Sequence, residues 1–190
     1  MKAIVLAGGK SSRMGQDKAL MKLNGKYMIE YITHTLSQFF DEVLISGSLS
    51  KYDGFQNNVI EDLVNGKGPM GGIYSALEYC KEDIFVCSCD MPFISPDLIK
   101  NILQRKKENR INVVCLGKKI YPVLGIYPLS IINDLMKSIE SENLRMTQFL
   151  ELQNTHYIDY NDSPTDQFLN INTPENFQNA ETIVNKIYKQ

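Results

Sequence analysis

The run Ile84-Phe85-Val86-Cys87-Ser88-Cys89 does most to limit the fold. Apolar residues at successive positions, rather than at every second one, need cover on both faces of a strand. That is the environment of a central strand in a parallel sheet flanked by helices. Strand patterns at 3–7, 42–45, 58–60, 113–116, 123–127, 157–160 and 168–171 alternate with helical ones. Met28, Ile32, Leu36 and Phe39 recur at helical spacing over 27–40, and a helix is expected to open at Gly71 or Gly72 after the Gly68-Pro69 breaker. Ser95-Pro96-Asp97 reads as a cap, a first-turn proline and an acidic first turn. Further helices are expected at 129–139, at 146–152 and from Pro174 onward, and a hairpin-like insertion around Gly117-Lys118-Lys119. The alternation predicts an α/β fold: one Rossmann-like, doubly wound, mostly parallel sheet with helices on both faces.

With 190 residues, 43% of them hydrophobic, the chain suits a single domain with a full core. A net charge of −2 gives no global basic field for nucleic acid or anionic lipid. The longest apolar runs are too short for a membrane span, and a strand is expected to begin almost at once, with no leader to remove. Cys80, Cys87, Cys89 and Cys115 lack the C-x-x-C spacing of a zinc site. Cys87 and Cys89 fall on one side of their strand, as buried thiols would, so a reducing cytoplasm is the expected compartment. His34 and His156 lie too far apart in sequence to suggest a metal cluster.

In a parallel sheet, ligands bind beyond the carboxyl ends of the strands. Those ends carry Gly8-Gly9, Ser46, Asp62 and Asp90. After the first strand, Gly8-Gly9 is followed by a polar loop with Lys10, Arg13 and Lys18. Glycines let the backbone approach a ligand, and the converging cations and N–H groups suit a polyphosphate. Gly9 to Gly15 is one residue too long for a Walker A loop, and no Gly-x-Gly-x-x-Gly is present. Asp90, in Cys89-Asp90-Met91-Pro92, either caps the following turn or ligates Mg²⁺, which favours one or two carboxylates with phosphate oxygens. Gly68-Pro69-Met70-Gly71-Gly72 either is a tight loop or offers a helix N-terminus to an acceptor. Asn170 and Asn172 would share one side of a strand, lining the site or capping the sheet, before the Thr173-Pro174 helix start.

Leu6-Ala7-Gly8-Gly9-Lys10-Ser11-Ser12-Arg13-Met14-Gly15-Gln16-Asp17-Lys18 resembles the signature loop of the molybdenum cofactor guanylyltransferases. Gly68-Pro69-Met70-Gly71-Gly72, Cys89-Asp90-Met91-Pro92-Phe93 and Asn170-Ile171-Asn172-Thr173-Pro174 are similar to that family's later motifs, in the same order. The resemblance spans essentially the whole chain. It implies a nucleotide-diphospho-sugar transferase-like fold, with residues 1–190 as one nucleotidyltransferase domain. It further implies transfer of GMP from Mg-GTP to the terminal phosphate of molybdopterin, with release of pyrophosphate and Mg²⁺ as cofactor. Partners implied are GTP, molybdopterin and molybdoenzyme maturation proteins, with neither nucleic acid nor membrane.

By motif position, Leu6, Ala7, Gly8 and Gly9 would meet the nucleotide through backbone groups, with Ser46 and Gly71 beside it. Arg13 and Lys18 would hold phosphates, Asp62 would select guanine, Asp90 would hold Mg²⁺, and Asn170 and Asn172 would face molybdopterin. Members of the family often carry Asn where this chain has Ser46. The cytidylyltransferases of the same pathway tend to read Leu-Ala-Ala-Gly in place of Leu6-Ala7-Gly8-Gly9, and sugar-nucleotide enzymes Gly-Gly-x-Gly-Thr-Arg. These two classes, and a non-catalytic GTP-binding maturation partner, are the alternatives.

Overall fold

The computed structural model describes residues 1–8, 17–55, 58–160 and 165–188. Strands β1 (Lys2–Leu6), β4 (Val43–Ser46), β5 (Val59–Ile60) and β6 (Ile84–Ser88) form the parallel half of a seven-stranded sheet. A hairpin of β2 (Lys22–Leu23) and β3 (Lys26–Tyr27) stands apart from it. Strands β7 (Ile111–Leu116), β8 (Lys119–Tyr127) and β9 (Thr155–Asp159) complete the order β5-β4-β1-β6-β8-β7-β9. Only β8 runs against its neighbours, because the tight turn at 117–118 folds it back on β7 as the expected hairpin. The sheet is therefore mostly parallel, and strand order reverses between β1 and β6.

Side-chain alternation along β1 sorts the core into two layers. Ala3 and Val5 face a cluster with Ile29, Ile32 and Leu36 of α1 (Met28–Leu36) and Leu98, Ile99 and Ile102 of α4 (Pro96–Arg105). Ile4 and Leu6 face Met70, Ile73 and Leu77 of α3 (Gly68–Cys80). The same layer takes Leu135 and Ile139 of α5 (Ile132–Glu140) and Phe149 and Leu150 of α6 (Met146–Leu152). Helices thus cover both faces, with the short α2 (Leu49–Tyr52) between β4 and β5. A third cluster packs Ala180 and Val184 of α7 (Pro174–Tyr188) on Met21, Leu23, Met28 and Ile171. Cys87, Cys89 and Cys115 are buried free thiols. Among the described residues no helix is long and apolar enough to cross a membrane.

Two local expectations need correction. α3 opens at Gly68, ahead of the expected Gly71 or Gly72, because Pro69 sits in its first turn, where the missing N–H has no helical partner to lose. The segment 168–171 is not a strand. Thr165–Phe168 is a 3-10 turn, the Phe168 ring is buried against Tyr121 and Tyr160, and the Ile171 N–H donates to the Asp90 carbonyl at 2.9 Å. The Ser95 cap holds, its hydroxyl accepting the Leu98 N–H at 3.2 Å. Thr173 caps α7 by accepting the Asn176 N–H at 3.2 Å.

The junction of the parallel and antiparallel halves depends on Gly125. It pairs with Val86 on one side and Val113 on the other, next to a register shift at Val113/Val114. A Cβ at Gly125 would stand 1.9 Å from the Asn112 carbonyl oxygen and 2.8 Å from Val113 Cα. Backbone cannot yield as a flexible side chain can. Gly125→Ala is expected to cost about 3 kcal/mol in urea unfolding; a loss of less than about 0.5 kcal/mol would show that β7 and β8 separate freely.

Candidate active site

The C-terminal ends of β1, β4, β5 and β6 open on one cavity of ≈ 630 Å³. Leu6, Gly8, Ser46, Asp62, Ser88 and Asp90 line it from the strand ends. Gly68, Pro69 and Gly72 close it from the start of α3, and Val123 from β8. A second cavity of ≈ 290 Å³ shares Gly8 and Asp62 and continues to Ala7, Lys51 and Tyr52. A larger cleft of ≈ 900 Å³ lies along α1, away from the strand ends. Its Glu30 is committed to the cap of α1, accepting the Tyr27 N–H at 2.6 Å, and it holds none of the residues marked by the sequence.

Backbone bonds fix the cavity floor. The Ala7 N–H donates to Ser46 O at 2.8 Å, and the Cys89 N–H donates to Leu6 O at 3.1 Å. Asp62 leaves β5 with its carboxylate under the Ser46 hydroxyl, which donates to Oδ1 at 3.2 Å. The fully buried Ser75 of α3 holds the next residue, its hydroxyl accepting the Leu63 N–H at 2.9 Å and donating to Gly71 O at 2.8 Å. Burial pushes the Asp62 carboxyl above the ordinary Asp value, and the Ser46 bond opposes that. Asp90 is largely buried as well. Burial raises its pKa, while a hydrogen bond from Ser88 and the positive charge of Lys18 hold it down.

Lys18 lies in a short 3-10 turn, Lys18–Leu20, capped by Asp17, which accepts the Ala19 N–H at 3.1 Å. Its ammonium donates to Asn172 Oδ1. The Ile171 N–H on the Asp90 carbonyl brings the same segment to the rim of β6. The structure therefore joins Leu6, Gly8, Ser46, Asp62 and Asp90 in one cavity, puts Ala7 in its extension, and links Lys18, Asn172 and Asp90. Asn170 Oδ1 is buried without a hydrogen-bond partner. Gly9, Lys10 and Arg13 lie outside the described residues.

Gly71, expected beside the nucleotide, does not line the cavity. A Cβ there would meet the Val64 carbonyl at 2.9 Å, outside the cavity, whereas one at Gly72 would lie 2.9 Å from both Leu6 Cδ2 and Ser46 Oγ. Gly72, not Gly71, thus faces the strand ends. Ser88 was legible but unread: alternation with the buried Cys87 and Cys89 turns it to the opposite side, into the cavity. Tyr52 and Ser75 gave no sequence signal, since their partners are set by tertiary structure.

Residues 3–156 match the family described as the MobA-like NTP transferase domain. The chain belongs to the MobA-like NTP transferase family. It is 34% identical over 199 residues to a probable molybdenum cofactor guanylyltransferase of Natranaerobius thermophilus, covering 97% of this chain and 96% of that one. It is 31% identical over 192 residues to another, of Geobacillus sp. (strain WCH70), covering 96% and 98%. Among solved structures, molybdopterin-guanine dinucleotide biosynthesis protein A of Archaeoglobus fulgidus superposes with a TM-score of 0.85 at 27% identity, covering 98% of this chain and 100% of that one. The family match spans every strand end of the cavity and stops short of Asn170, Asn172 and α7.

The raised carboxyls make a stability test. A folded-state pKa above the unfolded value means that the folded chain holds the proton more tightly. That contribution is complete below about the ordinary Asp value of 3.8 and is lost as pH rises through the raised values. At neutral pH the ionised Asp90 therefore opposes folding of the ligand-free protein. Asp90→Asn, which removes the charge and keeps the shape, should raise the melting temperature at pH 7 by about 2–4 °C. Calorimetry should show the gain shrinking toward about pH 4; a lower melting temperature at pH 7 would contradict this.

Proposed function

We propose that the chain transfers the GMP unit of GTP to the terminal phosphate of molybdopterin, releasing pyrophosphate, as a single cytoplasmic nucleotidyltransferase domain. One observation carries the reading: Gly8, Ser46, Asp62 and Asp90, each from a different strand end, line one cavity beside the Lys18–Asn172 pair. The family and the names of the relatives agree with it.

The chemistry follows from the groups present. A phosphate monoester has a second pKa of about 6, so the acceptor oxygen is already largely ionised near neutrality and needs no general base. That oxygen forms the new bond to the α-phosphorus, the bond to the α,β-bridging oxygen breaks, and pyrophosphate leaves with the electron pair. Catalysis is then placement and charge neutralisation. Lys18 and Arg13 would neutralise phosphate oxygens. The Asp62 carboxylate would accept from the guanine Watson–Crick edge, which presents N–H donors, while Ser46 holds it in place. Asn170 Oδ1, buried and lacking a donor, would accept from the pterin side.

The donor set suits Mg²⁺. Asp90 is a hard oxygen ligand in a buried place where the protein compensates its charge incompletely, and Mg²⁺ typically combines such a carboxylate with phosphate oxygens. Asp90 would hold the ion, whose charge, when bound, offsets that of the α-phosphate and the departing pyrophosphate. The dinucleotide product would pass to proteins that load molybdoenzymes.

Pyrophosphate release measured with GTP, CTP, ATP and UTP, each with and without molybdopterin, should show turnover with GTP alone and only with molybdopterin present. Turnover with a sugar 1-phosphate as sole acceptor would overturn the reading. Asp90→Ala and Lys18→Ala should each lower kcat by about 100-fold or more with the melting curve still cooperative. Near wild-type rates at saturating Mg-GTP would remove these two residues from the site.

A further inference from the structure

One buried hydroxyl ties together two parts of the chain that the sheet leaves separate. Tyr52 is 1% exposed, and its ring packs against Phe55 with centroids 6.1 Å apart. The hydroxyl lies 3.0 Å from the Ala7 carbonyl oxygen and 3.2 and 3.1 Å from Asp17 Oδ1 and Oδ2. Asp17 also accepts the Ala19 N–H at 3.1 Å and the Lys51 ammonium at 3.0 Å. A phenol carries a single proton, so Tyr52 shares it between the strand-end carbonyl and the carboxylate. Burial first, and the Asp17 charge second, push the Tyr52 pKa up and keep that proton in place.

The β1 ladder ends at Leu6, and Asp17 belongs to the turn that carries Lys18. Among the described residues no strand pairing relates the two. The Asp17 side chain is only 14% exposed, and burying a carboxylate is a poor means of stabilising a core when apolar packing serves as well. Placement explains it better. We propose that Tyr52 and Asp17 are positioning residues that hold the Lys18 turn in register with Ala7 and Gly8, so that the Lys18 ammonium reaches Asn172 and faces Asp90. The inference rests on the proposed role of Lys18 toward the nucleotide phosphates. Neither Tyr52 nor Asp17 is asked to touch the reacting atoms.

A double-mutant cycle tests it. Tyr52→Phe keeps the packed ring and removes the hydroxyl, so the melting temperature should fall by no more than about 4 °C. With GTP and molybdopterin, kcat/KM for GTP should fall about 10-fold or more, while KM for molybdopterin changes less than about twofold. In a Lys18→Ala background the same substitution should have under about a twofold further effect, since groups acting through one another are non-additive. Equal losses in both backgrounds, or an unchanged kcat/KM in Tyr52→Phe, would overturn the proposal. Asp17→Asn should show the same non-additivity with Lys18→Ala. If the wild-type protein releases no pyrophosphate from GTP, the proposed function fails. The tie is then read by amide hydrogen exchange: residues 18–23 should exchange faster in Tyr52→Phe while β9 is unaltered, and unchanged exchange at 18–23 would overturn it.

Discussion

The two peptide groups that close β1, Leu6–Ala7 and Ala7–Gly8, stand where its ladders end, and the way they are satisfied organises everything around them. Leu6 O accepts from Cys89, the Ala7 N–H donates to Ser46 O, and Ala7 O accepts from Tyr52. The partners come from the end of β6, from β4 and from α2. Each bond offsets the ~1–3 kcal/mol that a buried, unpaired backbone group would cost. Together they hold three strand ends in a fixed relation, so the residues that leave the sheet there, Gly8, Gly47 and Asp90, depart side by side. Gly8 and Asp90 line the cavity, and α3 roofs it closely at Gly72, where a Cβ would crowd Leu6 and Ser46.

That rigid floor carries charge the protein itself only partly compensates. Asp62 has the Ser46 hydroxyl and Asp90 has the Ser88 hydroxyl with the Lys18 charge nearby, yet burial still raises both carboxyls. Neutral hydroxyls orient a carboxylate without cancelling it. What remains is a pair of acceptors that gain most from donors or cations arriving with a ligand. The reversal of β8 serves the same site from the other side, since pairing Cys87 with Leu124 places Val123 beside the end of β6 as an apolar wall.

The layered α/β architecture was legible because it rests on patterns local to each element: the apolar run at 84–89, the helical stripes, and the caps at Ser95 and Thr173. Ser46, Asp62 and Asp90 were legible as residues of the strand-end cavity for a related reason, as polar residues closing apolar strands. The start of α3 was misread as Gly71 or Gly72 because Pro69 looks like a breaker when it is a first-turn residue. The segment 168–171 was misread because its strand-like pattern gives no hint that its N–H partner is the Asp90 carbonyl. Tyr52, Ser75 and Gly125 were invisible because their reasons lie with residues distant in sequence: Ala7 and Asp17 for Tyr52, Leu63 for Ser75, Asn112 for Gly125. Single-sequence reasoning finds groups whose chemistry is unusual where they stand. It misses groups whose chemistry is ordinary and whose partner is not.

The C-terminal segment joins the cationic turn to the rim of the strand-end cavity. Lys18 donates to Asn172, and Ile171 donates to the Asp90 carbonyl, so the cationic turn, the segment after β9 and the carboxylate of β6 share direct bonds. Behind them, Ile171 packs with Ala180 and Val184 of α7 on Met21, which follows the Lys18 turn immediately, on Leu23 of β2 and on Met28 of α1. α7 therefore buttresses Lys18 and Asn172 at once, although it lies beyond the residues that match the family pattern. Under the proposed function, packing at the periphery would bear on how the nucleotide's phosphates meet the second substrate, and the floor set by β1 on whether the nucleotide is held at all.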